Sequence, residues 1–329
     1  MSFQDIYGHK KQITVLQNAV ARDRIPHAYL FYGMEGIGKR TVAEVFARAL
    51  NCKSGRDHLD ACDMCSSCLR IDRGNHPDVI QIKAEGQVIR VKEIRELQEQ
   101  MTFRPFEGGK RIFIIVDADK MNIVSANALL KTLEEPSASN ILILITSRPH
   151  LLPLTILSRC QHLRFNPLQR ETIASFLQEK LSLDRKSSDL ISLSSGGSIG
   201  KALALNDNSY LIMREEIFDI MSKIMMKDPL RLLFIANDFG QERTEIIERL
   251  IILMTGYRDA LVYKETGEMD RVINQDHMDI IKSVAESVSG RDILNSLKSV
   301  DRAFHAINHN ANKQLTLESM MFKLNRYCE

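Results

Sequence analysis

The chain has 329 residues, and 44 Lys and Arg against 42 Asp and Glu leave a formal charge of only +2. That excludes a polybasic protein, so any contact with nucleic acid must use a local patch. With 44% apolar residues the chain can bury large cores, and it is longer than the roughly 250 to 300 residues one core fills, so two or three domains are expected.

The opening MSFQDIYGHK turns polar within a few residues, which predicts no targeting segment and a cytoplasmic protein. Ala28 to Tyr32 reads as a strand that runs into a glycine loop. Val42, Val45, Phe46, Ala49 and Leu50 then recur at helical spacing. Asp78 to Lys83 predicts a second strand, and Val91, Ile94, Leu97 and Met101 predict an amphipathic helix. Arg111 to Val116 reads as a buried strand, Val124 to Leu133 as a helix ended by Glu135-Pro136, and Ile141 to Thr146 as another strand. The apolar runs fall far short of the roughly 20 residues a membrane helix needs. Strands alternating with helices predict an α/β unit, a parallel sheet covered on both faces.

Seven of the eight prolines lie at or before Pro167 and twelve of the sixteen glycines at or before Gly200, so the remainder is expected to be all-α. SFLQEKL, LISLSS and KALAL predict a small helical module over 167–207. IIERLIILM and ILNSLKSVDRAFHAI predict a helical bundle over 208–329. Nine of the fourteen methionines fall in that last part, where they suit adaptable core or subunit packing.

Gly33-Met-Glu-Gly36-Ile-Gly38-Lys39 matches the GxxxxGK of a phosphate-binding loop and sits between a strand and a helix, as the mechanism requires. Glycines let backbone N–H groups close around phosphates, and the lysine reaches the terminal ones. The next position should carry Ser or Thr to hold magnesium. Here it is Arg40, and Thr41 follows one step later, rotated by roughly 100° on the helix. IFIIVDADK supplies the second phosphate-side element, with Asp117 as the magnesium-directed carboxylate. Ala118 stands where a glutamate would polarise water. Asp119, if the strand continues, is expected to point elsewhere. A nucleotide site degraded for hydrolysis is the expectation, built from Gly33, Gly36, Gly38, Lys39, Thr41 and Asp117.

Cys62, Cys65 and Cys68 form a CxxCxxC, and Cys52 is a natural fourth ligand. Four thiolates suit structural tetrahedral Zn2+, whereas a disulfide reading leaves one of the three clustered thiols over. His58 and His76 are the less favoured substitutes for Cys52. Cys160 and Cys328 have no partner at metal spacing and read as a buried residue and a chain-end thiol.

The segments RIPHAYLFYGMEGIGK, VDADKMNIVSANALLKTLEEP and LLPLTILSRCQHLRF resemble the clamp-loader branch of the AAA+ ATPases. Within it the chain is most similar to the delta-prime subunits of bacterial DNA polymerase III. The resemblance implies a RecA-like P-loop AAA+ domain with a zinc-binding insertion over 1–166, a helical lid over 167–207 and a helical collar for oligomerisation over 208–329. It implies that Arg159, in the SRC-like Ser158-Arg159-Cys160, acts in trans on a neighbouring subunit's ATP. In GSIGKAL, Gly200 stands where active members carry a sensor arginine. Three departures, Arg40, Ala118 and Gly200, imply that the chain does not hydrolyse ATP, while for ATP binding Lys39 speaks in favour and Arg40 against. The implied role is a scaffold of the DNA-directed DNA polymerase holoenzyme that helps load a sliding clamp onto primed DNA, with gamma/tau and delta subunits in a hetero-pentamer. The alternative is an autonomous gamma-type motor. A zinc-dependent nucleic-acid binder gains little support from a chain with no Trp and 6% aromatics. Thr146, at a strand end, reads equally as a phosphate sensor and as a strand-end residue.

Overall fold

Side-chain alternation along short apolar runs determines how the first part of the protein is layered. The computed structural model describes residues 1–54, 60–84, 86, 88–107, 109–206, 208–225 and 228–326, and these form two compact units, Met1–Ala202 and Leu203–Glu329. In the first unit, β1 (Ala28–Tyr32), β2 (Val79–Ile82), β3 (Arg111–Ile115), β4 (Asn140–Thr146) and β5 (Gln161–Arg164) make one parallel sheet in the order β2-β3-β4-β1-β5. Its helices are α1 (Lys10–Ala21), α2 (Lys39–Asn51), α3 (Ser66–Asp72), α4 (Val91–Met101), α5 (Ile123–Glu134), α6 (Leu154–Leu157), α7 (Arg170–Leu181) and α8 (Arg185–Ser194), while α9 (Ile199–Leu205) straddles the division between the units.

Parallel strands need crossovers, and helices cover both faces of the sheet. Phe31, Ile112, Ile114, Ile141, Ile143 and Ile145 pack against Leu16 and Val20 of α1 and Val42 and Phe46 of α2. The alternate residues Leu30, Phe113, Ile115, Leu142 and Leu144 pack against Ile94 and Leu97 of α4 and Leu129 and Leu133 of α5. The expected α/β reading holds. β5, where only Leu163 of four residues is buried, carries no clear sequence signal, whereas α1 buries Ile13, Leu16 and Val20 at helical spacing.

The second unit is all-α: α10 (Asn208–Ile224), α11 (Pro229–Asp238), α12 (Arg243–Thr266), α13 (Met278–Ser287), α14 (Gly290–Asn308) and α15 (Lys313–Arg326). Local chemistry delimits these helices. Asp228 caps α11 with Pro229 in its first turn, Ser289 caps α14, and Gly267 ends α12 in the left-handed conformation. Leu250, Leu253, Tyr257 and Ala260 bury α12 at the centre. Met221, Met320 and Met321 are buried in this core too, so these methionines pack inside the unit. An exposed apolar stripe lies on α11, at Leu230, Leu233 and Phe234. Among the described residues no helix is long and apolar enough to cross a membrane.

His277 is expected to make this unit acid-sensitive. Its ring stacks on Phe218 with centroids 4.0 Å apart, while Arg214 binds Asp276 beside it. Burial and then Arg214 hold its pKa below the ordinary 6.5, against the opposing pull of Asp276 and Glu215. The unfolded chain therefore binds a proton that the native state refuses. The contribution is present above about pH 6.5 and is lost as pH falls toward the folded pKa. We expect the melting temperature to fall from pH 7.5 to 5.5, and to fall less in His277→Phe, which keeps a ring to stack.

Candidate nucleotide site and cysteine cluster

β1 ends at Tyr32, and the chain turns through Gly33 at φ 149°, where an added Cβ would stand 2.2 Å from the Phe165 carbonyl oxygen. Only glycine fits there. Lys39 opens α2 and is buried, its Nζ donating to the Gly33 and Met34 carbonyls at 2.7 Å each. Burial lowers its pKa, while Glu35, Asp117 and Asp119 oppose that shift, so these three carboxylates share the lysine's surroundings. Arg40 turns outward to Glu44 at 2.9 Å, and Gln81 of β2 binds the same carboxylate. The position that should hold magnesium therefore faces the sheet edge. Thr41 is half-buried one step further along α2. His9, which no sequence motif singles out, is also part of the loop's support: its Nε2 donates to the Ile37 carbonyl at 2.6 Å.

The strand with the acidic end departs from expectation. β3 stops at Ile115, Asp117 is left-handed at φ 54°, and Ala118–Lys120 form a 3-10 turn. Asp117 pairs with Lys120 at 3.0 Å. Ala118 is wholly buried and belongs to the core that contains Leu30 and Phe113. The backbone does not continue as a strand through Asp119. The turn instead buries its side chain to 2% exposure, where it accepts from Thr146 Oγ1 at 2.5 Å and from Arg148 Nε at 2.9 Å. Burial raises its pKa, but those two donors outweigh burial and hold it below the usual carboxylate range. Thr146 is thus already committed to Asp119.

The segment after α8 lies directly on the tip of the loop. Gly200 N–H donates to the Gly36 carbonyl at 2.8 Å, and Ser198 Oγ donates to the Glu35 carbonyl at 2.9 Å. A Cβ at Gly200 would stand 2.9 Å from Gly36 Cα. The contact is backbone against backbone, so an arginine at this position would force the two segments apart.

Arg159 lies elsewhere. β5 runs parallel to β1 with Tyr29 opposite Gln161 and Tyr32 opposite Arg164. The phosphate loop follows the C-terminal end of β1, whereas Arg159 precedes the N-terminal end of the neighbouring β5, at the opposite end of the strands. There its guanidinium donates to the Thr155 carbonyl at 3.0 Å and pairs with Glu134 at 2.9 Å, both side chains being substantially exposed.

Cys52, Cys62, Cys65 and Cys68 come together with their four sulfur atoms all within 4.8 Å of one another. Cys52 follows α2, and Cys65 caps α3, accepting from the Cys68 N–H. The Cys65 N–H also points at Cys62 Sγ, 3.3 Å away. Hydrogen bonds from Ser54 and then from the Cys65 backbone pull the Cys62 thiol down to about 6, whereas burial pushes Cys68 up. Four sulfurs at this separation, one already inclined to the thiolate, fit a closed tetrahedral site. His76 is committed to Ser67 at 2.9 Å, so Cys52 is the group that could complete a metal site with the three clustered cysteines; His58 lies outside the described residues. Cys160 is half-buried, its thiol pushed up to about 12 by desolvation, and Cys328 also lies outside the described residues.

Residues 8–169 match the family of the DNA polymerase III delta subunit, and residues 213–326 match the family of that protein's C-terminal part. The chain is 32% identical over 313 residues to the delta' subunit of DNA polymerase III from Bacillus subtilis, covering 94% of each chain. The chain belongs to the delta-prime family of DNA polymerase III subunits. The tau subunit of DNA polymerase III from the same organism is 27% identical over 349 residues, covering 98% of this chain but 61% of tau. A DNA polymerase III gamma subunit-related protein of Thermotoga maritima aligns over 97% of this chain and all of its own, with 18% identity and a TM-score of 0.47. The delta' subunit is the more identical of the two Bacillus relatives and is matched over 94% of its own length against 61% for tau, and this favours the delta-prime reading over a gamma-type one.

Proposed function

We propose that this delta-prime family member is a non-hydrolysing AAA+ scaffold in the clamp loader of DNA polymerase III. It would assemble with gamma/tau and delta subunits in a hetero-pentamer and help load a sliding clamp onto primed DNA. The observation that carries this reading is the Gly200–Gly36 backbone contact over a phosphate loop whose lysine is satisfied by its own carbonyls. A motor needs that lid to move and a glutamate near the attacking water; here the lid segment is fastened and the glutamate position is core alanine. Gly33, Gly36, Gly38 and Lys39 retain the groups that would hold ATP, with Asp117 nearby.

Arg159 is the active contribution, supplied to a neighbour's ATP. Its place across the sheet from the phosphate loop keeps it from serving its own chain. Residues 167–207 would serve as the lid and 208–329 as the collar, with Leu230, Leu233 and Phe234 as a contact stripe of the character of subunit interfaces. The four-cysteine site would hold structural Zn2+.

The test is ATP hydrolysis by the full chain alone, with and without primed DNA. No turnover above background is expected. Turnover near the ordinary enzyme value of about 10 s⁻¹ would favour the autonomous motor instead.

A further inference from the structure

Among the described residues an exposed tip follows α4. Phe103 and Phe106 are 60% and 72% exposed, with Arg104 between them also open to solvent. Two exposed phenylalanines on a loop should collapse or wander, yet Arg111 lies over the Phe106 ring at 5.6 Å and the backbone is gripped at many points. Arg111, itself buried, donates to the Gln100 carbonyl at 2.6 Å and the Phe103 carbonyl at 3.3 Å. Asp78, fully buried, accepts from the Phe106 and Glu107 N–H groups at 2.9 and 3.0 Å. Asn51 holds Lys110 through both of its backbone groups.

The remaining grip comes from the cysteine cluster. Glu107 pairs with Lys53 at 2.7 Å and with Arg70. Lys53 directly follows Cys52, and Arg70 lies two residues after Cys68 on α3. α3 also carries Ser67, which bonds His76; the His76 Nδ1 in turn accepts from the Asp78 N–H at 3.1 Å. Each of these links between tip and cluster passes through α3 or the residue beside Cys52. α3 has seven residues, too few to persist without external ties; Ile71 in the core beside α2 and the Arg48–Asp72 pair hold its C-terminal end, and the cysteine cluster holds its start.

We infer that the metal at the four-cysteine site acts as a strut: it keeps α3 formed, so that Lys53, Arg70 and His76 hold the Phe103–Glu107 tip in its exposed, ordered conformation. The inference rests on the zinc reading above and assigns that metal a task. An ordered tip presents two aromatic side chains without the entropy cost of fixing them later, which is what a contact surface needs. Metal loss would not remove the phenylalanines but would release the backbone that aims them.

The experiment is hydrogen exchange on the full chain, with metal content measured on the same samples. With metal bound, peptides over 100–111 should exchange slowly; after chelation they should exchange at least about tenfold faster, while α12 and α14 stay unchanged. Glu107→Ala should give the same loosening with the metal still bound, which separates release of the tip from collapse of the cluster. Unchanged exchange at the tip after the metal is removed would overturn the strut. So would tight protection in a metal-loaded Glu107→Ala protein. A folded protein purified without metal would instead refute the zinc reading itself, and the strut with it.

Discussion

Arg159→Ala should leave the loader assembled and slow ATP hydrolysis by the neighbouring subunit by about 10³-fold or more, the range of arginine fingers in comparable phosphoryl transfers. The size follows from what a guanidinium does at a phosphate in transit: it neutralises developing charge in a site shielded from water. It also follows from where this guanidinium lies. Because Arg159 stands at the end of the strands opposite its own phosphate loop, the loss should appear only in the assembled complex. Its present partner, Glu134, is half-exposed, and an exposed ion pair contributes about 0 to 1 kcal/mol. A phosphate chain can displace that carboxylate at small cost. The measurement is the neighbour's kcat in reconstituted loader, with assembly checked by size-exclusion chromatography. Unchanged kcat in a correctly assembled complex would remove the finger from Arg159.

Much of this arrangement is legible in residue types because single physical rules dominate there. Ala28–Tyr32, Ile141–Thr146 and the helix over 91–101 are regular amphipathic or fully apolar runs. The CxxCxxC spacing brings Cys52 with it, since thiols at one turn leave a ligand to be supplied by the nearest preceding element. β5 is not legible because an edge strand with one buried residue carries no pattern. Asp119 eludes the pattern for a related reason: strand periodicity cannot be extended through Asp117, where the backbone turns left-handed. His9 and the Gly200–Gly36 contact depend on segments far apart in the chain, and no local pattern encodes such a meeting. In the sequence Gly200 stands out for the arginine it lacks; its closeness to Gly36 shows what a glycine permits there.

The same distinction between a missing letter and a repurposed position governs attempts to rebuild a motor. Ala118→Glu would restore the acidic pair of an active ATPase on paper. In this fold position 118 begins a turn whose side chain is wholly buried with Leu30, Ile89, Phe113 and Leu144. A glutamate there adds volume to a packed core and leaves a carboxylate with no charged partner. Overpacking alone costs about 1–3 kcal/mol, and an unpaired buried charge about 3–5 kcal/mol, unless the group takes up a proton. Either way the side chain does not reach the phosphate side. The expected outcome is a loss of at least about 3 kcal/mol in unfolding free energy, measured by denaturant titration, with no gain in ATP hydrolysis. Adding Gly200→Arg should not help, because its side chain would first have to part Gly200 from Gly36, 2.9 Å from an added Cβ. A stable Ala118→Glu protein that hydrolyses ATP by itself would mean that the turn after β3 can rotate position 118 out of the core, and the scaffold reading would then fail at its foundation.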